Sequence, residues 1–254
     1  MGATTNCDVI IIGAGVSGLH AARLLHAAGR TFQLLEAQRD IGGRLRTSVC
    51  NGFLLDHGFQ VLQTAYPGVS RAVNLKALHL GYFVPGACVW NGKRLLRIAD
   101  PLRQPGQLLE SLRSPLGTAS DKFKVALLKM GLLTCPPTRL YRRHETSTAT
   151  YLRQKGFSTA FIEQFLRPFF NGIFLEEELA SSSRMFEFVF SMLSKGHAAL
   201  PAHGIRAIPL QLAEPLPPDS IRTECRVQQI HPREVCLANG QSLRARHILL
   251  ATDQ

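Results

Sequence analysis

Three groups of residues near the amino terminus have the types and the spacing to hold a nucleotide. The first is Gly13-Ala14-Gly15-Val16-Ser17-Gly18, which follows an apolar stretch from Val9 to Ile12. In a G-x-G-x-x-G turn between strand and helix, the first glycine permits the tight turn. The second lets backbone approach a diphosphate with no Cβ in the way, and the third lets helix and strand lie close together. The helix then aims its unpaired N–H groups, and the positive end of its dipole, at the phosphates. The second group is Glu36, 18 residues after Gly18, close to the ~20-residue distance at which an acidic side chain meets ribose hydroxyls. A carboxylate there repels a 2′-phosphate, which argues against NADP. The third is Gly42-Gly43-Arg44, a turn that carries a guanidinium toward the phosphates where a plain nicotinamide domain would place another helix. A glycine triplet alone is a weak signal. Strand, turn, helix, strand and acid in this order describe an adenine dinucleotide site, and the continuation favours FAD over NAD.

The elements that must position these groups are legible. Val16, Leu19, Ala22, Leu25 and Ala28 recur at helical spacing, and Gly29 stands where a left-handed cap belongs. Phe32 to Leu35 read as the second strand. Toward the carboxyl end, residues 226–230, 235–237 and Leu243 read as short strands, with Asn239-Gly240 as a hairpin turn between the last two. His247 to Thr252 read as a buried parallel strand. The fold class expected is α/β: a Rossmann-like domain with a β-meander, discontinuous over residues 1–65 and 198–254, and a mainly helical insertion over 66–197. Pro85, Pro101, Pro105, Pro115 and Pro136-Pro137 punctuate the insertion. Helices are predicted from Asp121 to Leu133 after a Ser120 cap, from Ser147 or Thr148 toward Lys155 with Gly156 as a stop, from Ser158 to just before Pro168, and from Ser182 to Leu193. Phe161, Phe165, Phe169, Phe170, Phe174, Phe186, Phe188 and Phe190 can line a tunnel for an apolar substrate or form helix–helix core; core is the reading favoured for most of them.

Gly13 to Gly18, Glu36, Ile41-Gly42-Gly43-Arg44 and Asp56-His57-Gly58-Phe59-Gln60 together resemble the flavin-containing amine oxidase and phytoene-desaturase-like superfamily. Residues 161–170 and 182–188 are similar to its phytoene-dehydrogenase-related branch, so the resemblance covers nearly the whole chain. It implies a flavoprotein of the two-dinucleotide-binding-domain type with FAD as cofactor. Gly13, Ala14, Gly15, Val16, Ser17, Gly18 and Gly42 would then surround the diphosphate, with Gly43 and Arg44 at the pyrophosphate region. Glu36 would bind the adenosine ribose. Gly58, Phe59 and Gln60 would pass beside the flavin, and the backbone of Val227 would hold adenine. Val227 also reads as an inward-facing strand residue, and the two readings are compatible. His57 stands where the family has a small or apolar residue, and is either a flavin neighbour or a solvent-facing or hydrogen-bonded structural histidine. His203 and Ile205 replace a glycine and a methionine of a family turn, so the backbone is expected to differ there. Asp56 is expected to hold the turn beside the flavin, and no catalytic acid or base is named.

The implied activity is that of an FAD-dependent oxidoreductase taking a hydride from an apolar or amine small molecule through flavin N5, with oxygen, a quinone or another group as electron acceptor. Amine oxidation, carotenoid-type desaturation and porphyrinogen oxidation stay open, with desaturase-like chemistry placed first. Full-length members continue past the position of Gln254 with more substrate domain and a further flavin-binding segment. The chain therefore reads as an amino-terminal portion or shortened isoform, expected to bind FAD weakly and turn over little alone. The competing reading is a non-catalytic binding or escort protein of the same architecture, or a chain that pairs with a full-length relative.

Composition sets outer bounds. At 254 residues and 45% hydrophobic the chain has ample material for a core. Its 29 Lys and Arg against 18 Asp and Glu give +11, which attracts anionic partners. The basic residues are scattered with no nucleic-acid motif among them, so nucleic acid is not an expected partner, and peripheral contact with a membrane surface is the more plausible reading. No apolar run reaches the ~18 residues of a spanning helix. Six cysteines lack C-x-x-C or metal-ligand spacing and nine histidines include no H-E-x-x-H, so free thiols in a reducing compartment and no metal are expected. The first strand starts near residue 7, with no signal or transit peptide before it, and the expected location is intracellular, cytoplasmic first and plastid second. Oligomeric state is not legible.

Overall fold

The computed structural model describes residues 6–252 apart from 101, 102, 108 and 110–112; the expected break at Pro101 thus lies outside the described residues. In chain order the elements used below are β1 (Asn6–Ile12), α1 (Val16–Ala27), β2 (Phe32–Leu35), β3 (Thr47–Cys50), β4 (Phe53–Asp56), β5 (Gly86–Trp90), β6 (Leu95–Ala99), α2 (Ala119–Leu133), α3 (Thr148–Gln154), α4 (residues 159–174), α5 (Ser183–Lys195), α6 (Ala207–Ala213), β7 (Ile221–Arg222), β8 (Val227–His231), β9 (Glu234–Leu237) and β10 (Ser242–Leu250). They divide between two compact units. The first contains the chain up to Leu62, Pro67–Gly81 and the part from Ala199 onward, and the second contains Gln63–Tyr66 and Tyr82–Ala198.

The first unit is built on a six-stranded sheet in the order β7-β2-β1-β10-β9-β8. The strands β7, β2, β1 and β10 run parallel, and β10, β9 and β8 form an antiparallel meander. The two-residue period of β1 explains why it is central. Ile11 joins Leu19, Ala22, Leu34, Ile208 and Leu212 in a core with α1 and α6, while Ile10 and Ile12 join Leu35, Val235, Leu237 and Leu243 in another. Each Leu, Ile or Val side chain among these contributes ~1.5–3 kcal/mol when fully buried. The strand predicted around Leu243 and the one predicted from His247 are a single strand, β10, which pairs with β9 only over Ser242–Arg244 and with β1 from Arg244 to Leu250. Where β10 runs on past β9 its side chains lose cover. Leu250 is 61% exposed there, so the predicted burial fails at that end.

Neither β7 nor the β3–β4 hairpin was predicted. β7 is two residues long and exists through its pairing with β2, Ile221 opposite Leu34. β3 and β4 form a hairpin whose turn residues Asn51 and Gly52 have φ of 50° and 83°, the left-handed pair of a two-residue primed turn.

The second unit opens on another hairpin, β5 with β6, ahead of its helices. α2 starts earlier than expected. Its cap is Thr118, not Ser120: the Thr118 hydroxyl accepts from the Asp121 N–H while the Asp121 carboxylate accepts from the Thr118 N–H, a reciprocal capping box. The Ser147, Ser158 and Ser182 hydroxyls cap α3, α4 and α5. α4 does not stop before Pro168. Residues 162–166 form a π-turn, and Pro168 falls in the first turn of the α-helical segment that follows, Arg167–Phe174. Proline has no N–H to donate, and the wider π register ahead of it lets the helix pass. Leu175, with φ of 56°, ends it. Phe161, Phe170 and Phe186 are buried between these helices, with the Phe170 and Phe186 rings 4.6 Å apart. Phe165, Phe169, Phe174, Phe188 and Phe190 pack at the margin of that core, which accounts for the aromatic run as packing.

Candidate cofactor site

The site lies where the carboxyl ends of β1, β2 and β10 meet the start of α1. Each glycine of the first turn has a different physical reason to be there. Gly13 has φ of 104°, and a Cβ on it would sit 2.8 Å from the Ala251 carbonyl oxygen. A Cβ on Gly18 would sit 2.0 Å from the Gly13 carbonyl oxygen, so only glycine lets α1 lie this close to the turn. Gly15 is under neither constraint. Its φ is −72°, and a Cβ there would meet nothing within 4 Å. The space beside it belongs to a cleft of about 510 Å³ that Gly15 lines, well within the range of small-molecule sites.

Gly15 is also the N-cap of α1, with no side chain to cap the helix, and the first turn carries no acidic residue. The first intrahelical bond runs from the Leu19 N–H to the Gly15 carbonyl, 2.9 Å. The N–H groups of Val16, Ser17 and Gly18 precede it, and groups at these positions have no partner inside a helix. Together with the helix dipole they favour an anion at this end.

Glu36 follows β2 directly. It is buried, and its carboxylate is fixed by two backbone donors: the Ala14 N–H to Oε2 at 2.8 Å and the Gln38 N–H to Oε1 at 2.9 Å. An ionised carboxylate has about four acceptor positions, so half remain for hydroxyl donors. Its backbone is held as firmly, donating to Arg222 and accepting from Cys225 at 2.8 Å each.

The Gly42-Gly43 turn closes the near wall. The Gly42 N–H donates to the Ala14 carbonyl at 2.8 Å, and Gly15 and Gly42 form an isolated parallel bridge. Left-handed φ values of 116° and 57° at Gly42 and Gly43 bring the chain round to Arg44, whose guanidinium lies 5.4 Å from the centre of the Phe59 ring.

Of the residues predicted for the site, Gly13, Gly15, Val16, Ser17, Glu36, Gly42, Gly43, Arg44, Phe59 and Val227 line this one cleft. Ala14 and Gly18 stand behind the lining, Ala14 as the donor to Glu36 and Gly18 as the contact with Gly13. Gly58 and Gln60 are not among the lining residues; Gly58 passes against the Arg44 carbonyl, which a Cβ would approach to 2.4 Å. His57 lies off the cleft too, with its Nε2 2.6 Å from the Ser48 hydroxyl, the hydrogen-bonded alternative. Asp56 accepts from the Thr47 hydroxyl at 2.5 Å and the Ile205 N–H at 3.1 Å, and Thr47 in turn accepts from the Arg206 N–H. That knot ties the β3–β4 hairpin to the start of α6. Cys225, Arg226, Ala251 and Thr252 also line the cleft and were not predicted. Ala251 and Thr252 had a usable signal, since they follow a parallel strand at the carboxyl edge where such sheets bind ligands.

Comparisons with known proteins bear on the family and the fold. The family described as flavin containing amine oxidoreductase matches residues 16–254. Protoporphyrinogen oxidase 2, chloroplastic/mitochondrial, of Arabidopsis thaliana is 27% identical over 165 residues, 65% of this chain and 32% of that protein. Putrescine oxidase of Kocuria rosea is 49% identical over 53 residues, 21% of this chain and 11% of that one. Among solved structures, a redesigned putrescine oxidase superposes with a TM-score of 0.68 at 19% identity, over 98% of this chain and 58% of that one; at that identity the likeness shows the fold. The chain thus spans about a third of the length of the first curated relative.

Proposed function

Because the chain belongs to the flavin containing amine oxidoreductases, a family of FAD-dependent enzymes, we propose that the cleft beside Gly15 holds the adenosine diphosphate half of FAD. In this reading the Val16, Ser17 and Gly18 N–H groups receive the diphosphate, and Gly43 and Arg44 flank it. The two free acceptor positions of Glu36 take the ribose hydroxyls. The Val227 backbone borders adenine, with Arg226 and Cys225 beside it on the same wall. Phe59, with Gly58 and Gln60 on either side in the chain, points to the flavin end, where the ring excludes water.

When bound, the flavin supplies a hydride acceptor for a C–H bond of an apolar substrate or for the C–H bond beside the nitrogen of an amine. What this chain contributes is binding and orientation. Asp56 acts through the Thr47 knot to hold the hairpin next to Phe59 and takes no proton from a substrate. Among the three substrate classes left open, the names of the relatives favour porphyrinogens and amines over desaturase-type substrates.

The observation that carries this reading is the pairing of a glycine with open space at its Cβ position and a half-satisfied buried carboxylate across the same cleft. Calorimetric titration of the purified chain with FAD tests it. Glu36→Ala removes both ribose acceptors and should weaken FAD by about tenfold or more, since hydrogen bonds to a charged group are each worth about 1.5–3 kcal/mol. An unchanged dissociation constant would place the nucleotide elsewhere.

A further inference from the structure

The second unit holds a separate cleft of about 320 Å³ between α2, α3 and α5, at the small end of the ~300–1,000 Å³ range of ligand sites. Its two ends differ in chemistry. Leu127, Leu128 and Leu132 of α2, with Phe157, make an apolar floor. The polar end is built on Glu187, which is 2% exposed. Its Oε1 accepts from the Tyr151 hydroxyl at 2.7 Å and from the Arg143 guanidinium. Burial, and then the bond to Glu187, raise the Tyr151 hydroxyl, so it keeps its proton and stays a donor.

With Glu187 neutralised by Arg143, two more cations remain on the lining. The described contacts of Lys124 and Lys155 are the Gly156 carbonyl and the face of the Tyr151 ring, respectively; neither is a carboxylate. An anion entering this cleft therefore meets uncompensated positive charge beside hydrocarbon.

α2 gives an independent reason to read the cleft as a site. Gly131 lies inside the helix, and its φ is not left-handed, so it serves as no cap. A Cβ on it would meet nothing within 4 Å, so no neighbour in the fold requires glycine there. A glycine inside a helix costs about 1 kcal/mol relative to alanine. What the missing side chain keeps open is the cleft, which Gly131 lines.

We propose that this cleft binds a single-chain amphiphile with an anionic head, the head at Lys124 and Lys155 and the chain along Leu127, Leu128 and Gly131. It is distinct from the cofactor cleft and does not depend on it.

Decanoate, kept below its micellar concentration, is titrated calorimetrically into the chain without FAD, with uncharged decanol as control. The expected result is saturable binding of about one decanoate per chain, weaker by about tenfold or more for decanol and for the Lys124→Gln/Lys155→Gln double variant. Gly131→Phe should abolish binding while its thermal midpoint stays level or rises. The two lysine changes lie at the surface and leave the core intact, so they decide the matter if Gly131→Phe fails to fold. No saturable binding overturns the proposal. So does wild-type binding by folded Gly131→Phe, equal binding of decanol, or binding to phosphatidylglycerol vesicles with none to monomeric decanoate.

Discussion

Alanine at position 15 and alanine at position 18 should separate ligand binding from folding. Gly15 has an extended N-cap conformation, φ −72° and ψ 179°, and open space at its Cβ position. Gly→Ala there gives up a few tenths to ~1 kcal/mol of N-cap preference and recovers ~0.4–1 kcal/mol by stiffening the unfolded chain. The two offset, and stability should stay within about 0.5 kcal/mol of wild type. The new methyl enters the cleft where the diphosphate would lie, and FAD should weaken about tenfold or more, or ~1.4 kcal/mol. Gly18 is the opposite case. Its Cβ would lie 2.0 Å from the Gly13 carbonyl oxygen and 3.4 Å from the Ala251 Cβ, so helix and turn must separate. Overpacking of this kind costs ~1–3 kcal/mol, which at ~2–4 °C per kcal/mol for a chain of this size lowers the thermal midpoint by ~2–12 °C. Thermal melts without FAD and calorimetry with it measure both quantities. The reasoning fails if Gly15→Ala melts as early as Gly18→Ala, or if it binds FAD like wild type.

Asp121 makes stability pH-dependent. Burial alone would raise its carboxyl, but the N–H groups and hydroxyls of Ser158 and Thr118 overcome that and hold it at about 2, below its ordinary 3.8. A lowered folded value means a contribution that is complete above about pH 4 and lost as pH falls through about 2. Asp121→Asn should therefore cost about 2 kcal/mol at pH 7 in urea melts, with the gap to wild type closing near pH 2; a pH-independent gap would contradict the assignment. Phe186→Ala should cost about 3–5 kcal/mol, because the ring is fully buried against Phe170. A loss below about 1 kcal/mol would mean the aromatic run is a ligand tunnel and not core.

What the sequence revealed was local. The path from β1 through the glycine turn and α1 to Glu36 rests on periodicity and turn chemistry within 36 residues, and each piece can be recognised without its partners. Of the helix caps, Ser158 was legible outright and Ser147 as one of two alternatives with Thr148. At α2, Ser120 distracted from the Thr118-x-x-Asp121 capping signature two residues earlier. The Asn51-Gly52 turn carries the same dipeptide signal as Asn239-Gly240. Pro168 misled because a π-turn, which no short-range rule reports, lets a proline follow. The remaining misses are non-local. β7 exists only through β2, and Cys225 and Arg226 reach the cleft because Cys225 bonds back to Glu36, a contact spanning most of the chain and written in no motif.

The central claim is that a diphosphate binds against the amino end of α1. The most direct measurement is the ¹H–¹⁵N spectrum of the labelled chain during titration with ADP-ribose, which carries the adenosine diphosphate half with a second ribose in place of the flavin-bearing part. The largest amide shifts should fall on Gly15, Val16, Ser17 and Gly18, with Ala14 and Gln38 following as Glu36 takes the ribose. Saturating ADP-ribose that leaves those amides unmoved and shifts others would contradict the account.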